Sequence, residues 1–187
     1  MIGEKGLLKA MKAAWKTPQG YIFAAIERSF YIRSEEWEAL FPVGLLPRKC
    51  LALAVEHIGE IPQDGEAYCC TKKMGAQMVT TAMIYEDKSH LESAEFNETE
   101  KAERTRLMWD GYELWQEYGS LQVIAIDPAS REIVSDVKPG RAYARGSNVI
   151  WIDKDMIVCV RGKLMPGVAR KHLSAMQWIG SEVENED

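Results

Sequence analysis

The apolar positions near the start of the chain recur at the spacing of an amphipathic helix. Over residues 3–16 they fall on one helical face, and the lysines lie largely outside that face. The apolar set is Leu7, Leu8, Met11, Ala14 and Trp15, and the lysines are Lys5, Lys9, Lys12 and Lys16. The sequence TPQG at residues 17–20 ends this helix, because proline disfavours helical backbone in the residue before it.

Strand patterns and a second helix fill the rest of the first half. The runs YIFAAIE, FYIRS and EEWEALF predict three strands, the third because its apolar residues alternate with glutamates. The run PRKCLALAVEHIG predicts a helix, since Pro47 suits a first turn and Gly59 suits the position after the last turn. The runs EAYCCTKK and AQMVTTAMIY then predict a hairpin joined near Gly75.

The sequence pattern of the second half predicts a helix, four strands and a final helix. Asn97 and Glu100 have the spacing of a capping box, and the apolar residues that follow are spaced as one helical face ending at Gly119. That face consists of Leu107, Met108, Gly111, Tyr112, Leu114, Trp115 and Tyr118. The stretches SLQVIAIDPASREIVSDV and SNVIWIDKDMIVCVRG each contain two apolar runs joined by a turn, which predicts a four-stranded antiparallel meander. Pro166 begins the predicted last helix.

Together these elements predict an α+β fold made of two small lobes, each an antiparallel sheet with covering helices. The predicted N-terminal lobe covers residues 1–85, and the C-terminal lobe covers residues 97–181. Residues 86–96 form an acidic connector, and residues 182–187 form an acidic tail. With 187 residues, of which 47% are hydrophobic, the chain can bury a core of its own.

The acidic connector and the residues after it carry a charge as large as that of the whole chain. Residues 86–103 contain seven acidic residues and two lysines, a net charge of −5, which equals the formal net charge of the protein. Glu98, Glu100 and Glu103 have a structural reason, because acids stabilise the start of a predicted helix. The other four acidic residues have no such structural reason, and we expect them to recognise a protein partner. These four residues are Glu86, Asp87, Glu92 and Glu95.

Local signatures of catalysis and metal binding do not occur in the sequence. It contains no C-x-x-C, H-E-x-x-H, G-x-S-x-G, G-x-G-x-x-G or P-loop pattern, so we expect no metal, no cofactor and no enzyme activity. A nucleophilic site stays open as an alternative, because its residues need to meet only in three dimensions.

The cellular compartment is predicted from cysteine spacing and hydropathy. Cys50, Cys69, Cys70 and Cys159 show no disulfide framework, which suits reduced thiols. No run reaches the roughly 20 apolar residues of a membrane span, and the N-terminus lacks the apolar centre of a signal peptide. We therefore expect a cytoplasmic protein.

A basic stretch between two predicted hairpins offers a second kind of site. In VKPGRAYARGSN, residues 137–148, the cations Lys138, Arg141 and Arg145 surround Tyr143 between two glycines. Such a loop can contact phosphates and stack a base on its aromatic ring. A solvated loop that merely links the two hairpins is the alternative interpretation.

Four segments of the first half resemble small proteins encoded by prophages of anaerobic Gram-positive bacteria, a group that includes type II-A anti-CRISPR proteins. These segments are LLKAMKAAWK, GYIFAAIE, LPRKCLALAVEHIGEIPQDGEAY and GAQMVTTAMIY, and the resemblance covers about the first 85 residues. It implies a protein that binds Cas9 with its guide RNA and inhibits DNA cleavage by occupancy, without turnover, in the cytoplasm of the bacterial host.

Two other functions stay open beside that one. A nucleic-acid-binding prophage protein would use Lys138, Arg141 and Arg145, and also the lysine face of the first helix. A small enzyme would need a pocket that brings cysteine, histidine and carboxylate side chains together.

Overall fold

The computed structural model describes residues 2–82, 84, 91, 96–137 and 140–165 as an α+β fold in which antiparallel sheets dominate. Helix α1 spans Glu4–Trp15, α2 spans Arg48–Ile58 and the one-turn α3 spans Pro128–Arg131. Single 3-10 turns lie at Val43–Leu45 and Glu98–Glu100. The predicted α+β class is confirmed.

The strands in the described part of the chain form two sheets. Those of the main sheet are β1 Tyr21–Ile26, β2 Ser29–Arg33, β3 Trp37–Pro42, β4 Glu66–Thr71, β5 Gly75–Met78, β9 Arg141–Arg145, β10 Asn148–Asp153 and β11 Met156–Arg161. Those of the small sheet are β6 Ala102–Trp109, β7 Tyr112–Glu117, β8 Val123–Ile126 and β12 Lys163–Leu164. The main sheet has the order β5-β4-β1-β2-β3-β11-β10-β9, and the small sheet has the order β12-β8-β7-β6. All strand pairs in both sheets are antiparallel.

The elements predicted for the first half are confirmed except for the length of the last strand, because β5 ends at Met78 whereas the predicted strand continued to residue 85. Helix α1 buries Leu7, Met11 and Ala14 and leaves its lysines exposed, as its apolar spacing indicates. Helix α2 is capped by Gly59, whose φ of 99° lies in the left-handed region that favours glycine. Strands β1 to β3 form a meander, and β4 pairs with β5 up to Gly75.

The predicted helix after Asn97 is wrong. Only one 3-10 turn forms there, in which the Asn97 N–H donates to the Glu100 carboxylate at 3.0 Å. The chain then makes the β6–β7 hairpin, turning at Asp110 and Gly111 with φ angles of 48° and 81°. Two positive φ angles in succession suit a two-residue hairpin turn, for which Asp-Gly is a preferred sequence.

The four-stranded meander is confirmed only in part. The β10–β11 hairpin forms as predicted, turning after Asp153. Residues 132–137 are not a strand, because Asp127 accepts a hydrogen bond from the Ala129 N–H at 3.2 Å and caps α3, with Pro128 in its first turn. Beyond α3, Val134 makes only an isolated bridge to Ile2. The predicted final helix from Pro166 and the acidic tail at 182–187 lie outside the described residues.

The expectation of a separate sheet in each half is wrong, because the main sheet contains strands from both. Strand β3 pairs with β11 through four residue pairs, among them Leu40 with Ile157. Five of the six residues of β3 and three of the six residues of β11 are buried. Without this pairing, each strand would leave an unpaired apolar edge, so joining the halves satisfies the backbone groups of both.

The core lies on both faces of the main sheet. The larger cluster packs one face against α1, α2 and the inner face of the small sheet, and it includes Phe23, Trp115 and Trp151. A second cluster on the opposite face includes Tyr31 and Leu40. A third cluster, on the outer face of the small sheet, consists of Leu114, Val123, Ala125 and Met165.

Helix α1 packs closely on backbone from the second half of the chain. The Gly3 N–H donates to the Ile133 carbonyl at 2.7 Å, and a Cβ at Gly6 would overlap the Glu132 carbonyl. Next to this contact, the buried Arg131 guanidinium carbon lies within 5.7 Å of the ring centroids of Trp115 and Trp151. The two halves therefore share helix contacts as well as the main sheet.

Candidate partner-binding surface

The four acids predicted to recognise a partner lie outside the described residues, and their role stays a prediction. They are Glu86, Asp87, Glu92 and Glu95. The described positions nearby, Ile84 and Leu91, are each 1% exposed and belong to the core cluster that contains Tyr31 and Leu40. Buried apolar positions thus fall before and between the predicted recognition residues in the sequence.

The basic stretch is a strand over most of its length, and the expected loop is wrong there. Arg141, Tyr143 and Arg145 belong to β9, at one edge of the main sheet, while Lys138 lies outside the described residues. The flanking glycines have φ angles of 82° and 60°, so they mark the ends of the strand. Gly140 and Gly146 therefore mark the two ends of a strand and do not flank a flexible loop.

Only one of the three described residues of this set faces solvent freely. Tyr143 is 7% exposed, and its ring centroid lies 4.7 Å from that of Phe96. Arg145 donates to a Glu100 carboxylate oxygen at 3.3 Å and lies 4.5 Å from the Phe96 centroid. Arg141 is exposed. The tyrosine is therefore engaged in packing and is not open for stacking a base.

An open cleft of about 370 Å³ lies beside the exposed end of β9. It is lined by Gly140, Arg141, Tyr143, Ile152, Asp153 and Lys154. Its charged groups are two cations and one carboxylate, a set that can hold a small anion.

Three of the four described cysteines are poor nucleophiles. Burial raises the pKa of the Cys50 and Cys70 thiols to about 12, and burial also raises the pKa of Cys159 well above its usual range. A thiol becomes reactive as its thiolate, so these three groups stay protonated near neutral pH. Cys69 is half-buried, and its thiol faces the Gln19 carbonyl at 3.7 Å.

His57 is held by two aromatic side chains. Its Nδ1 lies 2.7 Å from the Tyr21 hydroxyl, and its ring stacks on Trp15 at 3.7 Å between centroids. Burial lowers the pKa of His57, which favours the neutral ring. Within the described part of the chain, no group of three or more His, Cys, Asp or Glu side chains is placed to hold a metal ion.

The β6–β7 hairpin presents an exposed surface that could not be recognised while this segment was predicted to be a helix. Met108 and Trp109 are 57% and 42% exposed just before the turn. Trp109 pairs across the hairpin with Tyr112, which is half-buried and carries Lys163 Nζ 4.8 Å from its ring centroid. Arg104 and Arg106 are exposed on the same strand. Met108 and Trp109 are adjacent in the strand and pair with Glu113 and Tyr112, so their side chains project from opposite faces of the hairpin. We call the residues on both faces of this hairpin the hairpin surface: Arg104, Arg106, Met108, Trp109 and Tyr112.

Strand β6 is the outer strand of the small sheet, and a bulge distorts it. Pairing with β7 shifts register between Arg104 and Met108, where Thr105 Oγ1 donates to the Leu114 carbonyl at 2.9 Å. Bulges at sheet edges interrupt the regular row of unpaired backbone groups that would pair with another strand. A partner would therefore bind this hairpin through side chains more than by adding a strand.

One ion pair sets the charge at the base of the hairpin surface. Arg104 donates to Glu113 at 2.7 Å, and the Glu113 side chain is 10% exposed. The second carboxylate oxygen of Glu113 is buried, with no hydrogen-bond partner among the described residues. The Asp-Gly turn at residues 110–111 is the sequence signal that would have revealed this hairpin.

Comparison with protein-family models, with curated proteins and with solved structures finds no match to this chain. In the described residues, no helix combines the length and the hydropathy that a membrane span requires.

Proposed function

We propose that this protein acts by binding and occupying a protein partner, and that the partner is Cas9 in complex with its guide RNA. The resemblance of the first 85 residues to type II-A anti-CRISPR proteins suggests this partner. The hairpin surface supports a role in binding, and the raised thiol pKa values of the buried cysteines favour occupancy over covalent catalysis.

The composition of the hairpin surface carries the proposal. Its five side chains are two arginines, a methionine, a tryptophan and a tyrosine. Arginine, methionine and aromatic residues are the types enriched where proteins meet, and tryptophan, tyrosine and arginine dominate binding hot spots. Met108 and Trp109 are 57% and 42% exposed, so burial against a partner would remove apolar area from water.

Binding to purified Cas9, with and without guide RNA, tests the proposal. The double variant Met108→Ser, Trp109→Ser removes the exposed apolar side chains and should weaken binding about 30-fold or more, as for a hot spot worth about 2 kcal/mol. The matched control is Met74→Ser, Met78→Ser, which removes two side chains that are 58% and 66% exposed at the β4–β5 hairpin. Strand β5 is the far edge of the main sheet, so this control should bind like the parent.

A second pair of variants tests the acidic segment. Charge reversal of the four predicted recognition residues to lysine should weaken binding, and higher salt should weaken binding of the parent. The reversed residues are Glu86, Asp87, Glu92 and Glu95. The control reverses four acids that are exposed in the described part of the chain, namely Glu35, Glu60, Glu103 and Asp155. If the hairpin variant binds normally and only the acidic variant fails, the hairpin is not the binding surface.

The stoichiometry of inhibition separates occupancy from catalysis. When Cas9 is in excess, a protein that acts by occupancy should leave the excess Cas9 fully active in a DNA cleavage assay. Inhibition that persists when the protein is far below the Cas9 concentration would show turnover. Failure of the parent to bind either form of Cas9 would overturn the choice of partner.

A further inference from the structure

The exposed face of α1 carries four lysines in a narrow stripe. Lys5, Lys9, Lys12 and Lys16 follow one another at spacings of four, three and four residues, and all four are exposed. At about 3.6 residues per turn they fall within an arc of about 60°, opposite the buried side of the helix, and they extend over about 16 Å. The apolar residues that bury α1 in the core therefore direct its lysines straight into solvent.

The β4–β5 turn extends this stripe at the C-terminal end of α1. The Lys72 N–H donates to the Trp15 carbonyl at 2.8 Å, which fixes the turn against the helix end. Lys72 and Lys73 are both exposed. We call the combined set the lysine surface: Lys5, Lys9, Lys12, Lys16, Lys72 and Lys73.

Few acids neutralise the lysine surface. Among the described residues, its only ion pair joins Lys9 to Glu132 at 2.9 Å, with side chains that are 62% and 53% exposed. Glu4, the only acid in α1, pairs instead with Lys49 of α2 at 2.9 Å. A simple solvated face usually intersperses both signs of charge. In a chain of net charge −5, six neighbouring lysines with one weak partner form a distinct positive field.

The chemistry of this surface fits phosphate groups better than an acidic protein. Helix α1 contains no exposed large apolar side chain, and Met74, which is 58% exposed, lies at one end of the lysine surface beside Lys73. The surface therefore lacks the apolar centre that protein interfaces have. Binding to a nucleic-acid backbone needs no such centre, because released counterions supply most of the affinity. Successive lysines advance about 4.5–6 Å along the helix axis, and their flexible side chains can each reach a separate phosphate.

We propose that the lysine surface binds the phosphodiester backbone of nucleic acid without reading its sequence. This site is distinct from the hairpin surface and from the basic strand β9. It needs no Cas9, so its test can fail while the proposed function stands, and the reverse is equally true.

Fluorescence anisotropy of the full chain with a labelled 20-base-pair DNA duplex, and separately with a labelled single-stranded RNA, tests the proposal. The variant Lys5→Gln, Lys12→Gln, Lys16→Gln should lose about tenfold or more in affinity at low salt. The plot of log binding constant against log salt concentration on the duplex should become less steep by about 2 to 3 for this variant, since each neutralised phosphate contributes about 0.9 to the slope. The two probes show which form of the backbone is preferred.

The matched control removes three exposed cations that belong to none of the proposed binding surfaces: Arg28→Gln, Arg48→Gln and Lys163→Gln. It should bind both probes like the parent, and far-ultraviolet circular dichroism should show both variants folded. The proposal is overturned if the parent binds neither probe at 50 mM salt, or if the control loses as much affinity as the lysine variant. Salt-sensitive binding of polyglutamate in place of both nucleic acids would identify an acidic protein as the partner and would equally overturn it.

Discussion

Replacing Gly6 by alanine should destabilise the protein, although alanine is the better helix former. A Cβ at this position of α1 would overlap the carbonyl group of Glu132 and come within 2.9 Å of the Ile133 nitrogen. These are backbone atoms, which cannot rotate away as the end of a flexible side chain can. The helix would have to move off residues 131–134, disturbing the Gly3–Ile133 hydrogen bond and the Ile2–Val134 bridge.

The expected size follows from two opposing contributions. Exchanging glycine for alanine inside a helix normally stabilises it by about 1 kcal/mol. Inserting a methyl group into a filled contact costs about 1–3 kcal/mol, and the upper end applies because backbone must shift. We therefore expect a net loss of about 1–2 kcal/mol in the free energy of unfolding, or a melting temperature lower by about 2–8 °C for a chain of this size.

Urea unfolding followed by tryptophan fluorescence measures this loss as a lower midpoint at unchanged slope. Gly44→Ala is the control, because a Cβ there meets no atom within 4 Å, and it should stay within about 0.5 kcal/mol of the parent. Ala13→Gly, at an exposed position of α1, calibrates the helix preference and should cost about 1 kcal/mol. A Gly6→Ala variant as stable as the parent, or more stable, would refute the close approach of α1 to the second half.

Three further outcomes follow from buried polar groups. Because burial lowers the pKa of His57, the unfolded chain binds a proton at this residue more readily than the folded chain does. The free energy of unfolding should therefore fall as the pH drops below about 6.5, the ordinary pKa of histidine. In urea unfolding at pH 5 and pH 8, the variant His57→Gln should lack this contribution to the pH dependence. Cys69 should react with a thiol reagent before Cys50 and Cys70, and Cys69→Ser should abolish the fast phase in native protein; a fast phase that persists would contradict the burial assigned to the others. Arg131→Met should cost about 2 kcal/mol or more, because the Val134 carbonyl loses its partner and two tryptophan rings lose a cation, and the near-ultraviolet circular dichroism should change.

Elements of the first half could be predicted because their signals are local. The apolar residues of α1 recur at a single helical spacing, and one proline-containing turn ends the helix. Pro47 and Gly59 mark the two ends of α2. Strands β1 to β3 follow directly on one another, so each partner lies within a few residues. Under these conditions, periodicity and turn residues are sufficient.

The β6–β7 hairpin was missed because two periods coincide. Its apolar positions fit a helical face, but they also fit two alternating strands once Asp110 and Gly111 reverse the chain. The bulge at Thr105 hides the alternation further, since it adds residues to one strand. Period alone could not decide between the two structures, whereas the turn sequence favoured the hairpin.

Non-local contacts had no sequence signal at all. Nothing near Leu40 indicates that its partner is Ile157, and nothing near Tyr143 indicates that Phe96 will cover it. The candidate site was therefore only partly predictable. The sequence shows which residue types the basic stretch contains, but their exposure depends on a distant segment, and the hairpin surface is defined only once the strands are paired.

The pairing of β3 with β11 has a consequence for synthesis of the protein in the cell. Leu40 leaves the ribosome 117 residues before Ile157, a delay of roughly 6–23 s at about 5–20 residues per second. During that time β3 is part of the nascent chain while its partner strand β11 has not yet been synthesised. Five of the six residues of β3 are buried in the folded protein, and one of its edges still lacks backbone hydrogen bonds at this stage. The yield of native protein should therefore depend on translation speed and on chaperones that shield Trp37–Pro42 until the last strands of the main sheet arrive.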